Sequence, residues 1–115
     1  MNDFIAMRDY LRDFAEKRDW TQFHSPKNLA MALAVEAAEL MEHFQWLGEA
    51  ESAALEPERL AAVADEIADV QLYLIRLADR LNIDIPQAVA SKTRKNEEKY
   101  PAEKVRGSSR KYTEY

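Results

Sequence analysis

Four stretches of the chain place apolar residues at intervals of three and four, the spacing that keeps them on one face of a helix. The first predicted helix runs from about Asp3 to Arg18. Its opposite face is charged, so we expect it to pack on one side and to contact water on the other. The apolar residues of this helix are Phe4, Met7, Leu11 and Phe14.

The second predicted helix begins at a proline-containing capping signal. Ser25 followed by Pro26 is typical of an N-cap residue and a proline at the first helical position. The helix is predicted to run to about Leu47, where Gly48 fits a C-terminal stop. It is apolar around much of its circumference, which indicates burial on more than one side.

The third and fourth predicted helices follow an acidic linker over residues 48–56. The third runs from Pro57 to about Leu81 and is also apolar on more than one face. Residues 84–87 resemble a capping box, so the fourth is predicted from about Ile85 to Tyr100. These patterns predict an all-α fold, a four-helix bundle in one domain over residues 1–100.

Composition supports this fold and separates a tail from it. Only 2 glycines and 4 prolines occur in 115 residues, which favours helices. Residues 101–115 contain little apolar surface, so we expect a mobile C-terminal tail. The tail is locally basic because it contains Lys104, Arg106, Arg110 and Lys111.

Charge and composition also exclude several classes of protein. The net charge of −5 argues against a protein that coats nucleic acid, and no apolar run has the length of a membrane span. The N-terminus lacks a signal-peptide pattern, so we expect a soluble, cytoplasmic protein. The absence of cysteine excludes disulfides and thiolate metal sites.

Two acidic pairs interrupt the apolar second and third helices. Glu36 and Glu39 are three residues apart, as are Glu66 and Asp69, so each pair lies on one helix face. Because their neighbours are apolar, we expect the carboxylates to face a partly buried space, where they repel one another unless a cation neutralises them. Oxygen ligands suit a hard divalent cation, with Mg²⁺ first and Mn²⁺ second. The pattern predicts an enzyme built around a carboxylate-bound metal.

A solvated helix face and a di-iron site are the competing interpretations of these pairs. A solvated helix face with incidental carboxylates is the simplest one, but two pairs on consecutive apolar helices are more specific than one. A di-iron carboxylate bundle needs a histidine three residues after a glutamate on two helices. His24 and His43 do not have that spacing. His43 lies one turn after Glu39, and we interpret it as a surface or interface residue.

Aromatic residues near the acidic pairs are candidates for a binding pocket. Trp20 and Trp46 border the second helix, and their type and position fit either core packing or stacking on a nucleobase. Tyr73 lies one turn after Asp69 and fits a pocket wall.

The fourth predicted helix carries a polar ridge with a spacing of four residues. Its simplest interpretation is a solvated face, but beside a polyanion its lysine would contact phosphate and its other members would bond sugar or phosphate oxygens. The ridge comprises Lys92, Asn96 and Tyr100.

At these residues the chain resembles the MazG-like, all-α nucleoside triphosphate pyrophosphohydrolases, and most closely their dCTP pyrophosphatase branch. The family's acidic sequence motifs are present as Glu36-x-x-Glu39 and Glu66-x-x-Asp69. Further similar stretches cover nearly the whole chain: residues 18–24 (RDWTQFH), 26–29 (PKNL), 44–46 (FQW), 84–89 (DIPQAV), 106–108 (RGS) and 111–113 (KYT).

The resemblance implies Mg²⁺-dependent cleavage of a nucleoside triphosphate, dCTP or a modified dCTP, to the monophosphate and pyrophosphate. The implied metal ligands are Glu36, Glu39, Glu66 and Asp69. The implied base and sugar pocket contains Trp20, His24, Asn28, Trp46 and Tyr73. Lys92, Asn96 and Tyr100 are implied to meet the triphosphate or sugar, while His43 matches no role in the family.

Chemistry and assembly follow from the same residues. A carboxylate that is not fully committed to the metal can take a proton from the attacking water, and Glu36 or Glu39 is the candidate. The broad apolar faces of the second and third helices need a partner subunit, and the resemblance implies a tetramer made from two dimers. An enzyme of the same fold acting on dUTP or phosphoribosyl-ATP, and a non-enzymatic helical-bundle interaction protein, are the competing functions.

Overall fold

The computed structural model describes residues 1–109 and 113, and within them all regular structure is helical. The all-α fold class is therefore confirmed. The helices are α1 (Phe4–Lys17), α2 (Pro26–Glu42), α3 (Glu49–Ser52), α4 (Pro57–Arg80), α5 (Ile85–Lys99) and α6 (Ala102–Val105), with a 3-10 turn at Thr21–Phe23.

The predicted capping residues begin the helices as expected. The Ser25 hydroxyl accepts a hydrogen bond from the Asn28 backbone N–H at 3.1 Å, and Pro26 is the first residue of α2. The Asp84 carboxylate accepts from the Gln87 backbone N–H at 3.0 Å. Each side chain satisfies a donor that would otherwise lack a partner in the first turn of its helix.

The predicted end of the second helix was wrong. The helix ends at Glu42, and residues 43–46 form turns. The His43 carbonyl accepts a hydrogen bond from Arg59 Nη1 of α4 at 2.6 Å. In a longer α2 the same carbonyl would accept from the backbone N–H of Leu47. Gly48 is the N-cap of α3, so the predicted acidic linker contains one short helix.

Helices α1 and α4 end in the same way, with a non-glycine residue in the left-handed region. Asp19 has φ 53° and Asn82 has φ 56°. After α1, the Trp20 N–H reaches back to the Ala15 carbonyl at 2.9 Å, which is the long bond of a Schellman motif. This reversal places Trp20 directly beside the last turn of α1.

The chain divides into two compact units, the first comprising Met1–Ile83. In this unit α4 packs mainly against α2 and less extensively against α1. The core is small for the length of these helices. Its buried apolar residues are Ala15, Leu29, Val63, Ile75 and Ala78.

The second unit begins at Asp84 and contains α5 and α6. Helix α5 ends one residue before the predicted boundary, and Tyr100 is its C-cap. The described part of the predicted tail contains the single turn of α6, whereas Arg110 and Lys111 lie outside the described residues.

Helix α4 exposes a regular apolar stripe in the single chain. Leu60, Ile67 and Leu74 are seven residues apart, and their exposed fractions are 56%, 54% and 39%. A spacing of seven keeps side chains on one helix face, so we call these three residues the α4 stripe. Met31 and Val35 of α2 are similarly exposed. Within the described part of the chain, no helix combines the length and hydropathy that crossing a membrane requires.

Candidate metal centre and the adjoining cavity

The pairing of α2 with α4 brings three predicted carboxylates together. Glu36 and Glu39 of α2 and Glu66 of α4 each offer an oxygen, and these oxygens all lie within 4.8 Å of one another. Residues three apart on one helix share a face, and the extensive contact between the two helices aligns both faces. We call these residues the carboxylate cluster.

Two oxygens of the carboxylate cluster are buried without a hydrogen-bond partner among the described residues. They are Oε2 of Glu36 and Oε2 of Glu66. An unsatisfied buried carboxylate oxygen is costly, and such atoms in a folded protein point to an absent ion or water. The cluster therefore has acceptor capacity that a cation would use.

Interactions with neighbouring carboxylates raise the pKa values of Glu36 and Glu39. Hydrogen bonding with Glu66 raises the pKa of Glu36 most, and burial and the charge of Asp69 raise it further. The negative charge of Glu36 is the largest cause that raises the pKa of Glu39. A positive ion among these oxygens would reverse the effect by favouring the ionised forms.

The residues of the cluster fit a metal ion. Carboxylate oxygens alone are the donor set of hard divalent cations, and the chain has no cysteine that would attract softer ones. His43 is the C-cap of α2, and its backbone carbonyl accepts a hydrogen bond from Arg59.

The fourth predicted ligand, Asp69, has a different surrounding. It is not one of the three residues of the carboxylate cluster, but its charge acts on Glu36. Its side chain lines a neighbouring cavity of about 170 Å³. Asp69 therefore acts on the cluster through its charge and forms part of the cavity wall. Its role as a metal ligand stays a prediction.

The cavity has apolar walls and a few polar groups. A site of this composition suits a flat organic ring whose edge carries hydrogen-bonding atoms. The apolar walls are Leu11, Phe14, Trp20, Leu29 and Leu72. The polar groups are His24, Asp69, Tyr73 and Arg76.

Three of the predicted pocket residues meet at this cavity. Trp20, His24 and Tyr73 all line it. The Trp20 ring packs edge-on against Phe14 at 5.8 Å and lies 6.5 Å from the His24 ring. Trp20 remains 45% exposed, so part of its surface is available for contact.

Sequence reasoning missed a buried arginine in this region. Arg76 is only 5% exposed and donates from Nε to His24 Nδ1 at 3.2 Å and from Nη1 to Asp79 at 3.3 Å. Arg12 of α1 binds the same Asp79 carboxylate with two bonds of 2.6 and 2.8 Å. The Arg12 guanidinium is the main cause that lowers the pKa of Asp79.

A signal for Arg76 was present in the sequence. Asp69, Tyr73 and Arg76 are spaced by four and three residues, so they share one face of α4. An arginine between Ile75 and Leu77 on an apolar helix is unusual, because a buried guanidinium needs an ionic partner.

The other predicted site residues lie elsewhere. The Asn28 side chain donates to the Phe23 carbonyl at 3.0 Å, so it holds the 3-10 turn to the start of α2. Trp46 is 87% exposed in the turns after α2 and does not line the cavity. Lys92, Asn96 and Tyr100 belong to the second unit and are exposed. Their roles toward a ligand stay predictions.

Replacing Asp79 with asparagine is expected to reduce the free energy of unfolding by about 3 kcal/mol, because the buried Arg76 loses its charge partner. The pKa of Asp79 is lowered in the folded protein. The stabilisation that ionised Asp79 provides is therefore fully present when the pH is above its ordinary pKa of 3.8, and it is lost as the pH falls through the lowered pKa of the folded state. Circular dichroism melts should show the full difference in Tm at pH 7 and a shrinking difference below pH 3.8.

The matched control is Asp13→Asn, which removes an exposed ion pair with Lys17. Such pairs contribute about 0–1 kcal/mol. A difference between wild type and Asp79→Asn that does not change with pH would contradict the ionic role of Asp79.

Over the described residues, the fold and the site together define an all-helical protein with a carboxylate cluster that fits a metal ion beside an aromatic-walled cavity. The family described as MazG-like matches residues 31–115. The chain therefore belongs to the MazG-like family, which confirms the resemblance found in the sequence.

Individual proteins with a pyrophosphatase name are also similar to this chain. The dCTP pyrophosphatase 1 of Homo sapiens is 49% identical over 104 residues, and that of Rattus norvegicus is 47% identical over the same length. These matches cover 89% of this chain, which spans 61% of the length of each relative. The crystal structure of a pyrophosphatase from Archaeoglobus fulgidus DSM 4304 is 45% identical and has a TM-score of 0.77, covering 81% of this chain and 87% of that one.

Proposed function

We propose that this protein is a Mg²⁺-dependent nucleoside triphosphate pyrophosphohydrolase that prefers dCTP or a modified dCTP. The observation that supports this most is the carboxylate cluster, with two buried oxygens lacking partners, beside a cavity with a tryptophan wall. Relatives that share nearly half of its residues are dCTP pyrophosphatases.

The reaction is hydrolysis of the bond between the α and β phosphates. Water attacks phosphorus, the α–β bridging P–O bond breaks, and the products are dCMP and pyrophosphate. A metal held by Glu36, Glu39 and Glu66 would supply positive charge that offsets the charge of the triphosphate. Glu36 or Glu39 accepts the proton that the attacking water releases and passes it to solvent.

The predicted pocket residues and the predicted ridge residues keep their roles in substrate recognition in this proposal. Trp20, His24 and Tyr73 face the base and sugar, and Trp46 and Asn28 complete this pocket in the assembled enzyme. The ridge of Lys92, Asn96 and Tyr100 contacts phosphate or sugar oxygens, which suits the charge of lysine and the hydrogen-bonding atoms of asparagine and tyrosine.

The working form in this proposal is a cytoplasmic homo-oligomer, a tetramer made from two dimers. The small core and the exposed α4 stripe support it. Large apolar side chains in a row on one helix are rarely left in water, and a second copy is the simplest cover.

A panel of nucleotides with Mg²⁺ tests the function. The enzyme should release pyrophosphate and dCMP from dCTP faster than the corresponding products from the other triphosphates, as measured by ion-exchange chromatography. Hydrolysis in ¹⁸O-labelled water then shows which phosphorus is attacked, because the label appears in dCMP or in pyrophosphate.

Each competing function gives a different result in this panel. Faster cleavage of dUTP or of phosphoribosyl-ATP would agree with the proposed type of reaction but would contradict the proposed preference for dCTP. Release of inorganic phosphate and dCDP would overturn the α–β cleavage. The absence of hydrolysis with every nucleotide would favour a helical-bundle interaction protein.

A further inference from the structure

The contact between Arg76 and His24 defines the protonation of a ring in the cavity. Arg76 Nε–H donates to His24 Nδ1 at 3.2 Å. A guanidinium has only donors and stays protonated, so Nδ1 must present its lone pair and cannot carry a hydrogen. A neutral imidazole then carries its single proton on Nε2. Nε2–H is therefore the donor that His24 can offer to the cavity it lines.

Charges around His24 favour the neutral ring. Burial lowers the pKa of His24, and the positive charges of Arg76 and Arg80 lower it further. Arg80 Nε also donates to the His24 carbonyl at 3.0 Å. The negative group that lines the same cavity is Asp69, whereas Asp79 is bound by Arg12 from α1 and by Arg76.

The position of Arg76 is itself fixed. Its side chain is 6% exposed, and its Nη1 is bound by Asp79, whose side chain is 7% exposed. Asp79 receives two further bonds from Arg12, so helices α1 and α4 hold the carboxylate from both sides. A side chain restrained in this way can orient a neighbouring ring, as partners of catalytic and metal-binding histidines do.

The walls of the cavity indicate which kind of acceptor the Nε2–H group of His24 would meet. Phosphate groups are poorly suited to walls made of Leu11, Phe14 and Leu72. A nucleobase fits better, because its faces stack on Trp20 and its edge carries ring nitrogen and carbonyl acceptors.

We propose that Arg76 is a positioning residue that fixes His24 as the Nε2–H tautomer and makes it a hydrogen-bond donor to an acceptor on the edge of a nucleobase. The nucleobase half of this inference rests on the proposed function, while the tautomer half does not. Both halves concern recognition, so they affect substrate affinity more than the rate of the chemical step.

The tautomer is measured in the free protein by ¹⁵N NMR of the imidazole rings. Only two histidines occur in the chain, and His24→Gln assigns the resonances. We expect wild-type His24 to be neutral at pH 7 with Nε2 protonated and Nδ1 unprotonated. A proton on Nδ1, or a mixture of tautomers in the wild type, would overturn the proposal without the use of any variant.

Two variants separate the ring contact from general charge. Arg76→Met removes the bond to Nδ1 and should allow both tautomers, with the pKa of His24 rising toward 6.5. Arg80→Met removes a neighbouring positive charge but keeps that bond, so the Nε2–H tautomer should persist. Loss of the tautomer in both variants would overturn the specific role of Arg76.

The ligand half is tested by calorimetry with dCMP and with inorganic pyrophosphate as probes. His24→Leu should weaken dCMP binding about threefold to tenfold, the effect of one hydrogen bond, and leave pyrophosphate binding unchanged. His24→Gln should restore most of the affinity, because its amide nitrogen can replace Nε2–H, whereas His24→Asn should not.

The outcomes distinguish this inference from the proposed function. Equal loss of both probes, or no loss of dCMP binding in His24→Leu, would overturn the nucleobase contact. A panel without any hydrolysis would overturn the proposed function while the tautomer measurement still stood on its own. For the active enzyme, KM for dCTP should depend on pH around 6.5 in Arg76→Met, whereas in wild type, where the pKa of His24 is lowered, the same dependence should occur at lower pH.

Discussion

Replacing Glu39 with glutamine is expected to lower the turnover of dCTP by about a thousandfold or more. A metal that stabilises developing charge contributes several kcal/mol, and each 1.36 kcal/mol is about a factor of ten in rate. Glutamine keeps the size of the side chain but removes the negative charge, so the carboxylate cluster loses a charged ligand. The measurement is steady-state release of pyrophosphate at saturating Mg²⁺.

The same variant gives a second result that does not depend on activity. The pKa of Glu39 is raised by the charge of Glu36, so its ionised form is destabilising at neutral pH. Without metal, Glu39→Gln should therefore melt at a higher temperature than wild type. Added Mg²⁺ should raise the Tm of wild type and have less effect on the variant, because ligand binding stabilises the folded state.

Asp65→Asn is the matched control, since Asp65 is an exposed acid next to Glu66 that does not belong to the carboxylate cluster. It should keep nearly full activity and its response to Mg²⁺. Full activity in Glu39→Gln, or an equal loss in Asp65→Asn, would contradict the metal centre.

Replacing Ile67 with glutamate is expected to dissociate the proposed oligomer into smaller species. Ile67 is the central residue of the α4 stripe and is 54% exposed in the single chain. If a second copy covers it, each interface must bury an unpaired charge, and a cost of about 3 kcal/mol raises the dissociation constant more than a hundredfold. Light scattering at micromolar concentration measures the mass.

Ile67→Met is the control at the same position, because methionine has a similar volume and stays apolar. It should keep the mass of the wild type. A monomeric wild type would overturn the proposed assembly, and an unchanged mass in Ile67→Glu would place the interface on another surface.

Much of the fold could be predicted because its signals are local. The caps at Ser25 and Asp84 depend on residues within one turn, and the spacing of Glu36, Glu39 and Glu66 fixes their helix faces. Apolar faces on α2 and α4 then allow few ways of packing them together.

The errors arose where a distant residue decides the local structure. Helix α2 was predicted to reach Leu47, but Arg59 binds the His43 carbonyl from 16 residues away. The link from Arg12 through Asp79 and Arg76 to His24 spans α1, α4 and the 3-10 turn. A charge on a predicted helix does not reveal which partner it finds across the fold.

The unequal packing of α4 also has a consequence for local opening. The carboxylate cluster belongs to the more extensive α2–α4 contact, whereas Leu11 and Phe14 of the cavity wall belong to α1, which packs less extensively against α4. Partial unfolding proceeds first where the fewest apolar contacts must break. Amide hydrogens of α1 should thus exchange with solvent before those of α2, so a flat ligand can enter as α1 fluctuates while the carboxylates keep their spacing.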